Sequence, residues 1–418
     1  MLATSVFLLS AALTSHVPDP LILRAVSSDP AIAGPAVAAL RKGGQPSVDA
    51  MLAAHASVVR DAQSEERFRA SLDRVCRQAD CLWSGLYWYT DLEEAKRMAA
   101  ATHRPILSLR LLGDLGVEMS CANSRYFRTV LYPNREIAAY LRDNFVLHWS
   151  SERPVPAVTI DFGDGRVLHR TITGNSIHYL LDETGRPLDA LPGLYAPKVF
   201  LAQLREMVWL HGQWVHSPAN DREQRLRMYH ALRVRSASET AERNDAPETV
   251  TAARRARLQH PAYAWEATRL TSSKGAGEEP MFKSISFGAN SIVRKAQTIA
   301  ERIDPDGQFS AIDENSLSLI REKRAALRES PAALAHVLES FRGTLEADTL
   351  LNEYVLRPQV HRLLMNGEIT LAALNDAVYS DVFKTPRADP WLGLRSDETF
   401  TALAGEGVEQ RRDTLRGR

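Results

Sequence analysis

Leu86-Tyr87-Trp88-Tyr89-Thr90-Asp91-Leu92-Glu93-Glu94-Ala95, running on through KRMAAATHRPILSLRLL to Leu112, is the stretch on which the fold reading turns. Its aromatic opening, residues 86–89, is expected to be a short strand. Asp91 can cap the helical run after it, where Glu93 and Glu94 sit favourably in the first turn. Pro105 breaks that helix, and ILSLRLL is an apolar run of buried-strand type. Downstream, residues 121–143 read as a helix interrupted near Pro133, and residues 145–149 as another strand. Gly163-Asp164-Gly165 between residues 158–162 and 166–172 signals a hairpin. A second hairpin is expected from residues 176–181 and 187–191 around Glu183-Thr184-Gly185, and a helix over 197–209 closes the unit. Strand and helix alternate and then give way to hairpins, which predicts α/β with a mixed sheet.

The rest of the chain is helical by pattern. Ser28-Asp29-Pro30 caps and starts one alanine-rich helix, Gly43-Gly44 stops it, and a second begins near Ser47. Residues 20–82 are expected to form a small helical region that resembles a HEAT-like pair. From residue 216 to 418 a helical C-terminal domain is expected: Ser330-Pro331 starts a helix with Gly343 as its stop. Leu371, Leu374, Val378 and Val382 share one helical face. Residues 246–277 read as loop-rich, and Lys274-Gly275-Ala276-Gly277 lacks the order of a phosphate loop. Residues 389–394 (DPWLGL) read as a packed turn. Residues 1–19 open with the apolar run MLATSVFLLSAALT, too short to span a membrane and similar to a secretory signal. Periplasmic or secreted placement is therefore expected, with a cytoplasmic one as the alternative.

Lys+Arg and Asp+Glu are 51 each, so the chain has no net charge, which argues against a general nucleic-acid binder. Charged residues at 24% and hydrophobic ones at 44% exclude a chain disordered throughout. Three cysteines cannot staple 418 residues, so burial must hold the fold. Cys76 and Cys81 lie five apart in a helical segment, about 7.5 Å of rise. A disulfide then needs a broken helix; two core thiols are the other reading. No further Cys or His supplies a metal site there. His211 and His216 do not share a helix face, which disfavours a zinc pair, so no metal ligand is assigned. No hydrolase or dinucleotide motif occurs.

Residues 83–215 resemble the thioredoxin fold, and more closely bacterial thioredoxin-like domains with a helix-linked first strand. The resemblance rests on Trp88-Tyr89-Thr90-Asp91 with Ala95, Arg104-Pro105, Asp143-Asn144-Phe145-Val146 and Leu181-Asp182-Glu183-Thr184-Gly185. It covers about 120 residues, and the spacing from Ile137 to Phe145 places Cys121-Ala122-Asn123-Ser124 on the family's CxxC. The resemblance implies that Cys121 is a thiolate at a helix start, where free N–H groups and the helix dipole favour the anion. It puts Ser124 where the resolving cysteine would be, which suits monothiol exchange with protein or peptide thiols, or glutathione as co-substrate. It also puts Ser176 where the family has a cis-proline, so a trans peptide is expected there. Asn123, Asn175, Ser176 and His178 are the substrate-binding positions it implies, with His178 a candidate for proton transfer. Cys121 and Ser176 are expected to face each other across a shallow groove. Two functions follow as expectations. One is thiol–disulfide exchange at Cys121. The other is a redox-inactive binding module that docks a protein partner through its helical flanks.

Overall fold

The computed structural model describes residues 19–172, 174–243 and 309–392. Six strands are present among them: β1 (Ile106–Leu112), β2 (Val146–Arg153), β3 (Ala157–Asp161), β4 (Val167–Thr171), β5 (Ser176–Leu181) and β6 (Pro187–Pro192). Four make one mixed sheet in the order β2-β1-β5-β6, and β3-β4 is a separate hairpin. β1 and β2 are parallel, while β5 runs antiparallel to both β1 and β6. The chain is thus mixed α/β with helical flanks.

A parallel pair needs a crossover. Here it carries α7 (Ala122–Tyr126), a π-helical segment at Phe127–Leu131, and α8 (Arg135–Asn144) beyond Pro133. The tight β5–β6 turn is organised by Asp182, whose Oδ1 accepts from the Thr184 and Arg186 amides, and Gly185 takes the φ of +90° that the turn requires.

Helices cover both faces of the sheet, which is why β1 is apolar almost throughout. Leu107, Leu109 and Leu111 point to the face that buries Phe127, Leu141 and, from helix α9 (Pro197–His216), Phe200 and Leu204. Ile106 and Leu112 point the other way, towards Ala95 and Ala99 of α6 (Leu92–Thr102) and the C-terminal residues Leu356, Val360, Leu374 and Val378. The helical face expected of Leu371, Leu374, Val378 and Val382 is that second seam.

Among the described residues six helices precede β1: α1 (Pro20–Ala25), α2 (Pro30–Lys42), α3 (Gln45–Val58) and α4 (Ala62–Cys76), then the short α5 (Cys81–Ser84) and α6; the first four pack on one another. They bury Val37, Met51, Phe68 and Leu72 in a core of their own. Asp29 caps α2 as its sequence predicts, accepting from the Ala31 amide. Helix α4 stops where Arg77 turns left-handed, at φ 58°, and Asp80 repeats the turn at φ 63°. The break brings the two Cα atoms to 6.4 Å, and Cys76 and Cys81 form a disulfide. Of the two readings left open, core thiols therefore fails, because the helix is interrupted between the cysteines.

Residues 86–89 do not form the expected strand. Only Tyr89 pairs, in a single bridge with His148, while the Trp88 indole N–H is held at 2.7 Å by buried Gln78. Gly343 does not stop its helix, which runs over Pro331–Leu351, and the helix expected over 197–209 continues to His216. Leu392 of the expected packed turn is buried, and Trp391 is largely exposed. The signal-like residues 1–18, the segment 246–277 with its Lys274–Gly277 run, and residues 393–394 lie outside the described residues. No described helix is long and apolar enough to cross a membrane.

Candidate functional site

Cys121 caps α7, and its Sγ accepts the Ser124 amide at 3.4 Å. The thiol stands at a helix start, as expected, and uses one of the amides that a helix leaves without an internal partner. Its side chain is nevertheless fully buried, at 0% exposure. Ser124 is equally buried, and its hydroxyl has no hydrogen-bond partner among the described residues, so only its amide reaches the sulfur. Asn123 donates from Nδ2 to Ser176 Oγ at 2.7 Å, which ties the start of α7 to the start of β5. The peptide before Ser176 is trans.

The expected shallow groove between Cys121 and Ser176 is filled by the chain itself. Asn175 donates to Thr385 Oγ1 at 2.9 Å, and its carbonyl accepts from the Tyr379 hydroxyl at 3.3 Å. Arg125 reaches across from α7 to the Ser120 carbonyl and to Thr171 Oγ1. Asn123, Asn175 and Ser176 are therefore brought together as expected, but as a sealed seam rather than an open edge.

His178 does not face this seam for proton transfer. It lies in the core with its Nε2 2.8 Å from the Tyr132 hydroxyl and its ring edge-on to Phe127 and Phe200. Burial pushes its pKa down to about 3, so it is a neutral core imidazole.

A large open concavity lies elsewhere among the described residues, between the N-terminal helices and the sheet unit. It encloses about 1010 Å³ and is walled by α2, α4 and α6, with Tyr87, Tyr89 and residues of β2 at its base. Arg41, Lys42, Arg74, Arg77, Arg97, Arg104 and Arg142 line it, against the single carboxylate of Glu94. Arg41 is anchored by the Val75 carbonyl at 2.7 Å and the Trp88 carbonyl at 2.5 Å, and it stacks on the Tyr87 ring. Burial pushes its pKa down, with Tyr87 and Glu94 pulling the other way. Arg104 donates to the Arg142 carbonyl, and Arg142 stands 3.9 Å from Asp49 and 3.8 Å from Asp143. Among the described residues none of the other six cations has a carboxylate within ion-pairing distance. In a chain with no net charge, that concentration of one sign is local.

No sequence motif announced this groove. Its cations come from α2, α4, α6, α8 and the loops after them, so only folding assembles them. The same is true of a buried cluster on the far side of the sheet, Asp189, His230 and His361. The two histidines weighed in the sequence for zinc stay apart in role: His211 is buried, and exposed His216 bonds the Gly212 carbonyl. No family model, curated protein or solved structure matches the chain.

Proposed function

We propose that the chain is a redox-silent thioredoxin-like module that docks an acidic polypeptide segment in the cationic groove between its N-terminal helices and its sheet. The fold part of this reading is supported by the strand order, by the crossover whose α7 begins at Cys121, and by the hairpin β5–β6 followed by a helix. One observation carries the functional part: seven cationic side chains converge on one concave surface with a single opposing carboxylate. Arginine presents a planar fork that matches carboxylates two bonds at a time, and a cleft of one sign focuses its field on an incoming anion. At about 1010 Å³ the groove lies at the upper end of the size of small-molecule pockets, and its cations, spread over four helices, suit an extended chain with several carboxylates. The absence of net charge over the chain favours a protein partner over nucleic acid. Export fits this reading, since the Cys76–Cys81 disulfide is a bond of oxidising compartments.

Monothiol exchange at Cys121, with glutathione as co-substrate, is the second reading. It is favoured by the helix-cap position of the sulfur and its bond from the Ser124 amide. It ranks lower because Tyr379 and Thr385 of the same chain occupy the edge where a substrate would lie.

A fluorescent oligoglutamate peptide tests the docking reading by anisotropy. Saturable binding at low salt is expected, weakened about tenfold or more in roughly 0.5 M salt, where the Debye length is only a few ångströms. Arg74→Glu combined with Arg97→Glu should abolish it while leaving thermal unfolding nearly unchanged, because both side chains are exposed. Binding that ignores the charge reversal, or a single-stranded oligonucleotide that binds more tightly than the peptide, would sink the reading.

A further inference from the structure

Asp189 of β6, His230 of α10 (Arg222–Arg243) and His361 of the helix Arg357–Met365 meet beside the edge strand of the sheet. All three are buried, the most exposed at 2%. His230 Nδ1 stands 2.9 Å from His361 Nδ1, and His361 Nδ1 stands 3.7 Å from Asp189 Oδ1. One donor atom from each residue lies within 4.8 Å of the other two. We propose that Asp189, His230 and His361 bind one divalent cation of the zinc class, through Asp189 Oδ1 and the two Nδ1 atoms.

Donor chemistry comes first. Imidazole nitrogen with one carboxylate oxygen is a ligand set for borderline ions, with three protein ligands and a fourth position left for solvent. Bonds of about 2.0–2.2 Å in a tetrahedron put neighbouring donors roughly 3.3 Å apart, and the two distances seen here fall on either side of that. Small shifts close the set.

The surroundings fit the same role. Asp189 Oδ2 is held by the Arg357 guanidinium at 2.9 Å and by the Tyr229 hydroxyl at 2.9 Å, which fixes the carboxylate and leaves Oδ1 turned towards His361. Such outer contacts orient a ligating carboxylate. Neither Nε2 has a partner among the described residues, so the polar contacts of both rings are gathered at the Nδ1 centre. Without an ion, the two Nδ1 atoms share at most one proton, and one hydrogen bond is all the pair makes there. An ion would engage both lone pairs.

Charge also permits it. Arg357 and Arg233 face the cluster, and Glu353, Glu206 and Asp189 oppose them. Three carboxylates against two guanidiniums leave one negative charge to receive the ion. A cavity of about 190 Å³ lined by His361, Arg357, Glu353 and Gln203 adjoins the cluster on the His361 side.

The test titrates chelator-treated full-length protein with Zn²⁺ by calorimetry and with Co²⁺ by visible absorption. One equivalent of Zn²⁺ and the intense visible bands of tetrahedral cobalt are expected. His361→Ala and His230→Ala should each remove both signals, and Tyr229→Phe should weaken binding by about 10–100-fold. His211→Ala should change nothing. Circular dichroism checks that each variant folds. If His361→Ala does not fold, His361→Gln and the zinc-induced rise in wild-type Tm replace it. Wild type that takes up no stoichiometric Zn²⁺, or variants that bind as well as wild type, would overturn the proposal and leave a hydrogen-bonded imidazole pair. None of these readouts involves the cationic groove, so either proposal can fail without the other.

Discussion

Cys121 separates what a residue's position determines from what its surroundings allow. Position alone would make it reactive, since its sulfur sits on a free helix amide. Burial makes it wait for an opening of the structure. Native protein treated with iodoacetamide should therefore label Cys121 at least about 100-fold more slowly than the same protein in denaturant, by analogy with the protection of buried amides. Native labelling as fast as in denaturant would return the exchange reading to first place. The helix start was legible because Cys121 lies at a fixed spacing from Ile137 and Phe145. Its cover was not, because Tyr379 and Thr385 stand more than 200 residues away in the chain and carry no signal that points back to Asn175.

At the scale of elements, local chemistry could be read where it is self-contained. Asp29, Asp91 and Ser330 cap the helices assigned to them, and both hairpins appear with their turns. Helix α4 carries the fullest cap: Asp61 accepts from the Ser64 amide at 2.7 Å, and Ser64 Oγ accepts from the Asp61 amide at 2.9 Å. Asp61→Ala should lower the stability of the N-terminal helices, read as a fall in the urea midpoint. Asp61→Asn should cost much less, and equal losses would show that the cap hydrogen bond is not what matters. Elements whose ends are set by tertiary packing were misread. Gly343 passes through mid-helix because the apolar face continues to Leu345 and beyond. Residues 86–89 spend their polar groups on Gln78, Cys76 and Leu147 instead of on a ladder. The π-helical segments at Phe127–Leu131, Asn352–Leu356 and Val378–Val382 have no signature in periodicity at all.

For the whole molecule, buried histidines set an acid limit, and His148 and His178 of the sheet give its size. His148 of β2, 2.8 Å from Ser108 Oγ, is held to a pKa of about 3 by desolvation and then by the Arg110 charge, and His178 to about 3 by desolvation. In the unfolded chain both titrate near 6.5, so below that pH the unfolded state binds more protons. Stability is thus lost as pH falls from about 6.5 towards 3, by about 2 kcal/mol per group at pH 5. Asp73 opposes this: burial raises its carboxyl to about 6, and its contribution grows as pH falls through that value. Two groups outweigh one, so the urea midpoint should be lower at pH 5 than at pH 7, and His148→Gln should flatten the difference. A midpoint that rises on acidification would show that these rings are solvated. The α/β class and the helical flanks were legible at this scale, but the groove and the His–Asp cluster were not, because each is assembled from elements distant in sequence.

The Cys76–Cys81 bond closes the turn that carries Arg77, and Arg74 stands one helical turn earlier on the same wall of the groove. Covalent state and occupancy of the groove are then two sides of one thermodynamic cycle. An anion that binds the oxidised form ten times more tightly than the reduced one must lower the potential of the bond by about 30 mV. If the proposed acidic segment binds the groove with such a preference, its retention follows the oxidation state of the surroundings through Cys76 and Cys81.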